Sequence, residues 1–304
     1  MSLAELGPYF GLKARPFRSD LAPSALAGFG AHAEAKARIA YLVEEGALGL
    51  ITGEVGSGKT TAVRAAVSVL DRSRHSVVYL PNPSIGVRGI YAEIVAHLGE
   101  EPRFHTAALI VQTQELLARE RSERKKQVVV IVDEAHLLGP SQLEQLRLLT
   151  NAEMDSQAPF AGILVGQPQL RRRLRTGTFA ALDQRIALRY ELGGMDLGES
   201  SAYLDHHLRI AGREDRLFSD DAAELLHERS RGMPRQINNL ATQALVATYA
   251  QNKSIVDAAA AQARRRRWRR CLGSSCCGCR GLARLAFEKP GHWPGFLLAA
   301  ASSR

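Results

Sequence analysis

Two kinds of hydrophobic pattern take turns along the first two-thirds of this chain. Short stretches rich in apolar residues occupy 48–52, 76–80, 127–132 and 160–165, with 186–192 as a candidate fifth. Runs of that length, rich in Val, Ile and Leu, predict strands, and the lack of alternation in Val128-Val129-Val130-Ile131-Val132 predicts burial on both faces. Between them the apolar residues recur at helical spacing. Helices are predicted over 31–45, ended by Gly46, and over 61–70, where Val63, Ala66, Val67 and Leu70 share a face. Others follow over 87–98, 106–123 and 141–154, the last with Leu143, Leu146 and Leu149 inward. Strand and helix in alternation imply an α/β fold with a parallel sheet and helices on both faces.

From residue 196 the pattern is helical only. Segments 196–210, 219–230 and 234–249 predict three helices, with Ser219 as an N-cap and Pro234 in a first turn. The expected organisation is an arm over 1–30, an αβα core over 31–195, a small helical lid over 196–257 and a tail over 258–304. The arm mixes Gly and Pro with Tyr9, Phe10, Phe17 and Phe29 and reads as irregular.

Charge changes this picture only at the end of the chain. The formal net charge is +9, which would suggest a nucleic-acid partner. The tail, however, holds ten of the 40 basic residues and one of the 31 acidic ones, so residues 1–257 are neutral. The tail also holds all four cysteines (Cys271, Cys276, Cys277, Cys279) and both tryptophans (Trp268, Trp293). No clean second pair completes a zinc site around Cys276 and Cys279. So abrupt a change in Arg, Cys, Trp and acid content predicts a tail that is disordered or that derives from a shifted reading frame. No apolar run reaches the length of a membrane span, and no secretory signal is visible. A cytoplasmic protein without a membrane partner is expected.

The chemistry is concentrated in Gly53-Glu54-Val55-Gly56-Ser57-Gly58-Lys59-Thr60, which fits G-x-x-x-x-G-K-[ST], between a strand and a helix. Loop amides and the positive helix end would face phosphate oxygens. Lys59 would reach the β- and γ-phosphates, Thr60 would ligate Mg²⁺, and Thr61 follows it at the nucleotide. The strand 128–132 ends in Asp133 and Glu134, at the sheet edge where open α/β sheets bind ligands. Asp133 is expected to hold Mg²⁺ and Glu134 to polarise the attacking water. Asp133-Glu134-Ala135-His136 also spells a helicase box, but a second motor lobe is missing, and His136 is assigned no chemistry. Arg171-Arg172-Arg173-Leu174-Arg175 is the one dense basic run of the body. It fits either phosphate contacts to DNA or a solvated helix face.

Arg185, in Leu182-Asp183-Gln184-Arg185-Ile186, and Arg235, in Gly232-Met233-Pro234-Arg235, stand at element boundaries. Together with the loop and the carboxylates they resemble the AAA+ ATPases. That resemblance implies a P-loop core with a helical lid. It further implies Arg185 as an arginine finger acting in trans (Arg189 being a second candidate), Arg235 as the lid arginine and Gln167 as the polar sensor after the fourth strand. Tyr9-Phe10-Gly11-Leu12, Pro16-Phe17, Leu164-Val165-Gly166-Gln167-Pro168 and Gly232-Met233-Pro234-Arg235-Gln236 narrow the resemblance to the ExeA-type branch, over residues 7–257. This branch includes secretion-associated ATPases and transposon helpers similar to TnsC, MuB and IstB. The chain lacks the membrane segment and cell-wall-binding domain of the secretion members. The reading is therefore an ATP- and Mg²⁺-dependent ATPase that forms homo-oligomers, binds duplex DNA and recruits a transposase. The alternative is an ExeA-like ATPase of the general secretion pathway.

Overall fold

The computed structural model describes residues 3–18, 29–150 and 158–262. Five strands form one sheet: β1 (Leu48–Gly53), β2 (His75–Leu80), β3 (Gln127–Val132), β4 (Ala161–Gly166) and β5 (Ile186–Leu192). Their order is β2-β3-β4-β1-β5 and every pairing is parallel. The central strands β1, β3 and β4 are buried almost throughout, while the edge strands β2 and β5 keep partly exposed positions. That is why the central three read as unbroken apolar runs.

The two faces of the sheet follow from the period of two along each strand. Ile51, Val129, Ile131, Ile163 and Val165 pack with Ile39 and Val43 of α2 (Gly30–Glu45) and with Val63 and Ala66 of α3 (Lys59–Val67). Leu50, Val78, Val130, Val132 and Leu164 point the other way. They meet α4 (Gly86–His97), α5 (Thr106–Ser122) and α6 (Pro140–Leu149). On this face lie two further helices that the sequence reading left unassigned, α7 (Pro168–Leu174) and α8 (Ala180–Arg185). Gly46 ends α2 in the left-handed conformation, its N–H donating to the carbonyls of Leu42 and Val43. The carboxyl part of the predicted helix 141–154 lies outside the described residues.

After β5 come α9 (Leu197–Ile210), α10 (Asp220–Ser230), α11 (Pro234–Ala250) and the short α12 (Ala258–Gln262). Asp196 caps α9, accepting from the Glu199 N–H, and Ser219 caps α10, accepting from the Ala222 N–H. These helices share a hydrophobic cluster of their own, which includes Tyr203, Leu204, Leu208, Leu226, Ile237 and Leu245.

Two boundaries differ from the sequence reading. Residues read as an irregular arm contain a helix, α1 (Leu3–Tyr9), with Pro8 in its last turn. Leu6, Phe10, Leu12, Phe17 and Phe29 enter the cluster of α9 to α11. Packing that distant in sequence overrides the Gly and Pro content, since each buried Leu or Phe is worth roughly 1.5–3 kcal/mol. At the other end, α12 starts at Ala258, where the tail was expected to begin. Ala260 and Ala261 are buried in the same cluster, and Arg229 Nη1 donates to the Ala261 carbonyl at 3.1 Å. The cysteines, the tryptophans and the arginine run 264–267 lie outside the described residues, as does any metal or nucleic-acid role for them.

Candidate nucleotide site

β1 ends at Gly53 and α3 starts at Lys59, so residues 54–58 turn the chain over the carboxyl edge of the sheet. The turn requires positive φ at Gly56 (88°) and Gly58 (90°). It also requires that neither carry a side chain. A Cβ at Gly56 would stand 2.9 Å from Arg235 Cβ, and one at Gly58 would collide with the His32 ring. The Arg235 N–H donates to the Gly56 carbonyl at 3.3 Å, which ties α11 directly to the loop.

Lys59 is buried, and its Nζ donates to the carbonyls of Gly53 at 2.8 Å and Glu54 at 2.9 Å. Burial lowers its pKa, while Glu134, Asp133 and Glu54 oppose that shift and Arg235 adds to it. Thr60 Oγ1 donates to Asp133 Oδ2 at 2.7 Å, joining the loop to the end of β3. Tyr79, on β2, donates its hydroxyl to the same oxygen at 2.9 Å. Burial, then this hydrogen bond, holds the phenol protonated well above its usual range. The Glu134 N–H donates to Asp133 Oδ1 at 2.8 Å, so both carboxylate oxygens of Asp133 have protein donors. Glu134 itself adopts φ 49°, ψ 33°, a left-handed conformation uncommon for its residue type.

A cavity of about 370 Å³ opens here, lined by residues of the loop from Val55 to Thr61, by Glu134 and Gln167, and by Arg235. It therefore brings together Val55, Gly56, Gly58, Lys59, Thr60 and Thr61 of the predicted loop residues, the base candidate, the polar residue after β4 and the lid arginine, while Gly53, Glu54 and Ser57 do not line it. Asp133 lies just behind Thr60. Arg185 stands elsewhere. It precedes Ile186, which pairs with Leu48 at the start of β1, whereas Leu192 pairs with Gly53. At about 3.3 Å per residue the strand sets Arg185 roughly 20 Å from its own loop. Its Nη1 donates to Thr150 Oγ1 at 3.2 Å. Arg189 is tied to Asp183 at 3.0 Å and to the Ile186 carbonyl.

The dense basic run lies on α7 and its C-cap, and two of its four arginines are engaged within the protein. Arg171 pairs with Glu191 at 2.8 Å, and Arg173 donates to the carbonyls of His136 and Leu138. Arg172 and Arg175 remain exposed, so half of the run is still open to either reading.

Sequence reasoning missed the opposite wall of the cavity. Phe29, His32, Tyr203, His207 and Asn238 complete it. Tyr203 and His207 sit one helical turn apart on α9, ring centroids 4.4 Å apart, and Phe17 stacks on His207 at 5.3 Å. Burial pushes the Tyr203 phenol up to about 12 and, with the His206 charge, pushes His207 down to about 4. Burial likewise lowers His32. The i, i+4 pair of rings on α9 was a legible signal, but nothing local linked it to the loop.

The donor set fits a magnesium nucleotide. Mg²⁺ takes few protein ligands beside phosphate oxygens and water. Thr60 and Asp133 provide such a hydroxyl–carboxylate pair, and no cage of three or more ligating side chains occurs among the described residues. Ser57 Oγ is fully buried at the loop without a hydrogen-bond partner among the described residues.

Residues 43–174 match a family model described as an AAA domain. The chain is 37% identical over 248 residues to the general secretion pathway protein A of Aeromonas hydrophila, covering 80% of this chain and 45% of that relative. The chain thus spans under half of that protein's length. Among solved structures, the Aeropyrum pernix ORC2 protein, determined with ADPNP and ADP, superposes with a TM-score of 0.61 at 16% identity, over 81% of this chain and 69% of that one. Cdc6p from Pyrobaculum aerophilum gives 0.60 at 16% identity, over 79% and 67%. At such identity these structures speak for the fold. Residues 43–174 match an AAA domain, and the described residues carry the P-loop ATPase fold.

Proposed function

We propose that this ATPase serves the general secretion pathway, as its Aeromonas hydrophila relative is named to do, and works from the cytoplasmic side, where ATP is supplied. The observation that carries the catalytic part is the Thr60–Asp133 hydrogen bond, with Glu134 beside it at the cavity wall. It supports reading Thr60 and Asp133 as a metal-binding pair and Glu134 as the base beside the same loop. Thr60 and Asp133 would hold Mg²⁺, whose chemistry there would be to neutralise phosphate charge. Lys59 exchanges its two loop carbonyls for phosphate oxygens. Glu134 accepts a proton from the attacking water, and Gln167 and Arg235 address the γ-phosphate from two sides. The distance of Arg185 from its own loop suits a residue that completes the site of a neighbouring copy, so the active form is a homo-oligomer. The transposition reading gains nothing from the relatives and keeps Arg172 and Arg175 of its basic run exposed, so the secretion reading is preferred over one with duplex DNA and a transposase as partners.

Mixing variants tests the shared site. Arg185→Ala and Lys59→Ala are each expected to be inactive alone. Mixed in equal amounts they should regain activity at about a quarter of interfaces, by random assembly of symmetric rings. No recovery on mixing would refute the shared site. For the pathway, a deletion strain should retain its secreted proteins in the cell, and the wild-type gene but not Glu134→Gln should restore secretion. A deletion strain with normal secretion would remove the pathway assignment.

A further inference from the structure

His136 lies three residues beyond Asp133, and its side chain is only 7% exposed. It does not line the cavity, yet it stands between two residues that do. Its Nδ1 stands 3.2 Å from Glu134 Oε2, off the line of a hydrogen bond, and is a buried nitrogen without a hydrogen-bond partner among the described residues. Its Nε2 lies 3.0 Å from Gln167 Nε2. An amide nitrogen only donates, so in this arrangement His136 Nε2 accepts and the imidazole proton sits on Nδ1, on the side of the carboxylate, where a turn of the half-exposed Glu134 side chain would complete the hydrogen bond.

The main chain of the turn that carries the ring is held from behind. Arg173 Nη1 donates to the His136 carbonyl at 3.3 Å and Nη2 to the Leu138 carbonyl at 2.6 Å. A Cβ on Gly166 would come within 3.2 Å of the His136 backbone nitrogen, so β4 approaches this turn closely. Glu134, by contrast, is 47% exposed in its side chain. A half-exposed glutamate samples several rotamers, and a base works only when aimed.

We propose that His136 is a positioning residue for hydrolysis: its Nδ1–H fixes one oxygen of Glu134 so that the other faces the attacking water, and Gln167 fixes the His136 tautomer. A base oriented by a third group is a general catalytic device. Here it gives Gln167 a second task. If its amide turns over, the carbonyl faces Nε2, the proton moves to Nε2, and the lone pair of Nδ1 then repels the carboxylate. The orientation of one amide at the cavity wall thereby sets the aim of the base. The inference rests on Glu134 being the base, as proposed above.

Steady-state kinetics on the full chain tests it. Glu134→Gln should lower kcat by ~100-fold or more. His136→Ala should lower kcat about 30-fold, less than loss of the base, with KM for ATP changed less than about threefold. His136→Asn keeps a donor near the Nδ1 position and should recover most of the rate, which a residue serving only the fold would not show. Gln167→Ala combined with His136→Ala should cost little more than His136→Ala alone, because both act through one chain of contacts. Full multiplication of the two losses would overturn the proposal, as would an unchanged or raised kcat in a folded His136→Ala. Full activity in Glu134→Gln would instead overturn the base assignment, which separates the two failures.

Discussion

The two walls of the cavity are built by different means. The sheet wall takes its polar groups from two short segments, 53–61 and 133–134, locked by hydrogen bonds of Thr60, Tyr79 and the Glu134 N–H to Asp133. The helical wall takes Phe29, Tyr203, His207 and Arg235 from segments far apart in sequence, and its coherence comes from ring packing and burial. One wall is therefore a local motif with local consequences. The other depends on the whole hydrophobic cluster behind it.

The largest expected effect attacks the helical wall from a distance. Phe10 is 1% exposed within that cluster. Phe10→Ala should cost about 3–5 kcal/mol, as for other large-to-small core changes. Urea unfolding followed by fluorescence and by nucleotide binding should show the helical part melting before the sheet. A single unshifted transition would dissolve the distinction between the walls.

Acid should act on the same wall next. His207 is 3% exposed, with its pKa pushed down to about 4 from 6.5. The folded state then binds fewer protons than the unfolded state between those values. Stability is full above pH 6.5 and falls as pH drops toward 4, by up to about 3 kcal/mol for this residue. His207→Phe should flatten that slope in thermal melts from pH 7 to 4.5. An identical slope in the variant would assign the acid sensitivity elsewhere.

The smallest effect sits where the walls touch. Arg235→Ala removes one charge from the cavity and leaves the backbone bond to Gly56 intact. ATP affinity should fall about tenfold, as for one charge-assisted contact, with the melting temperature nearly unchanged. Calorimetric titration with ATP and with ADP checks this. An equal loss for both nucleotides would place Arg235 away from the γ-phosphate.

This division also explains what could be read in the sequence. The loop, the two carboxylates and all five strands were legible because each is specified by neighbours a few residues away. α2 and α5 matched to within a residue for the same reason. α1 was not, because Gly7 and Pro8 argue against a helix that only the distant α11 makes worthwhile. The role of Arg171 and Arg173 was hidden as well, since their partners lie at Glu191 and at His136 and Leu138. His136 looked like an ordinary helix-start residue until β4 brought Gln167 beside it.

The amino-terminal helix has a consequence for how the chain is made. Leu6 and Phe10 leave the ribosome some 200 residues before Leu204, Leu208 and Leu245, with which they share a cluster. At about 5–20 residues per second, that is roughly ten to forty seconds of nascent chain with this apolar segment unpaired. A chaperone that recognises short apolar stretches would meet this protein at Leu6 and Phe10, well before any nucleotide could.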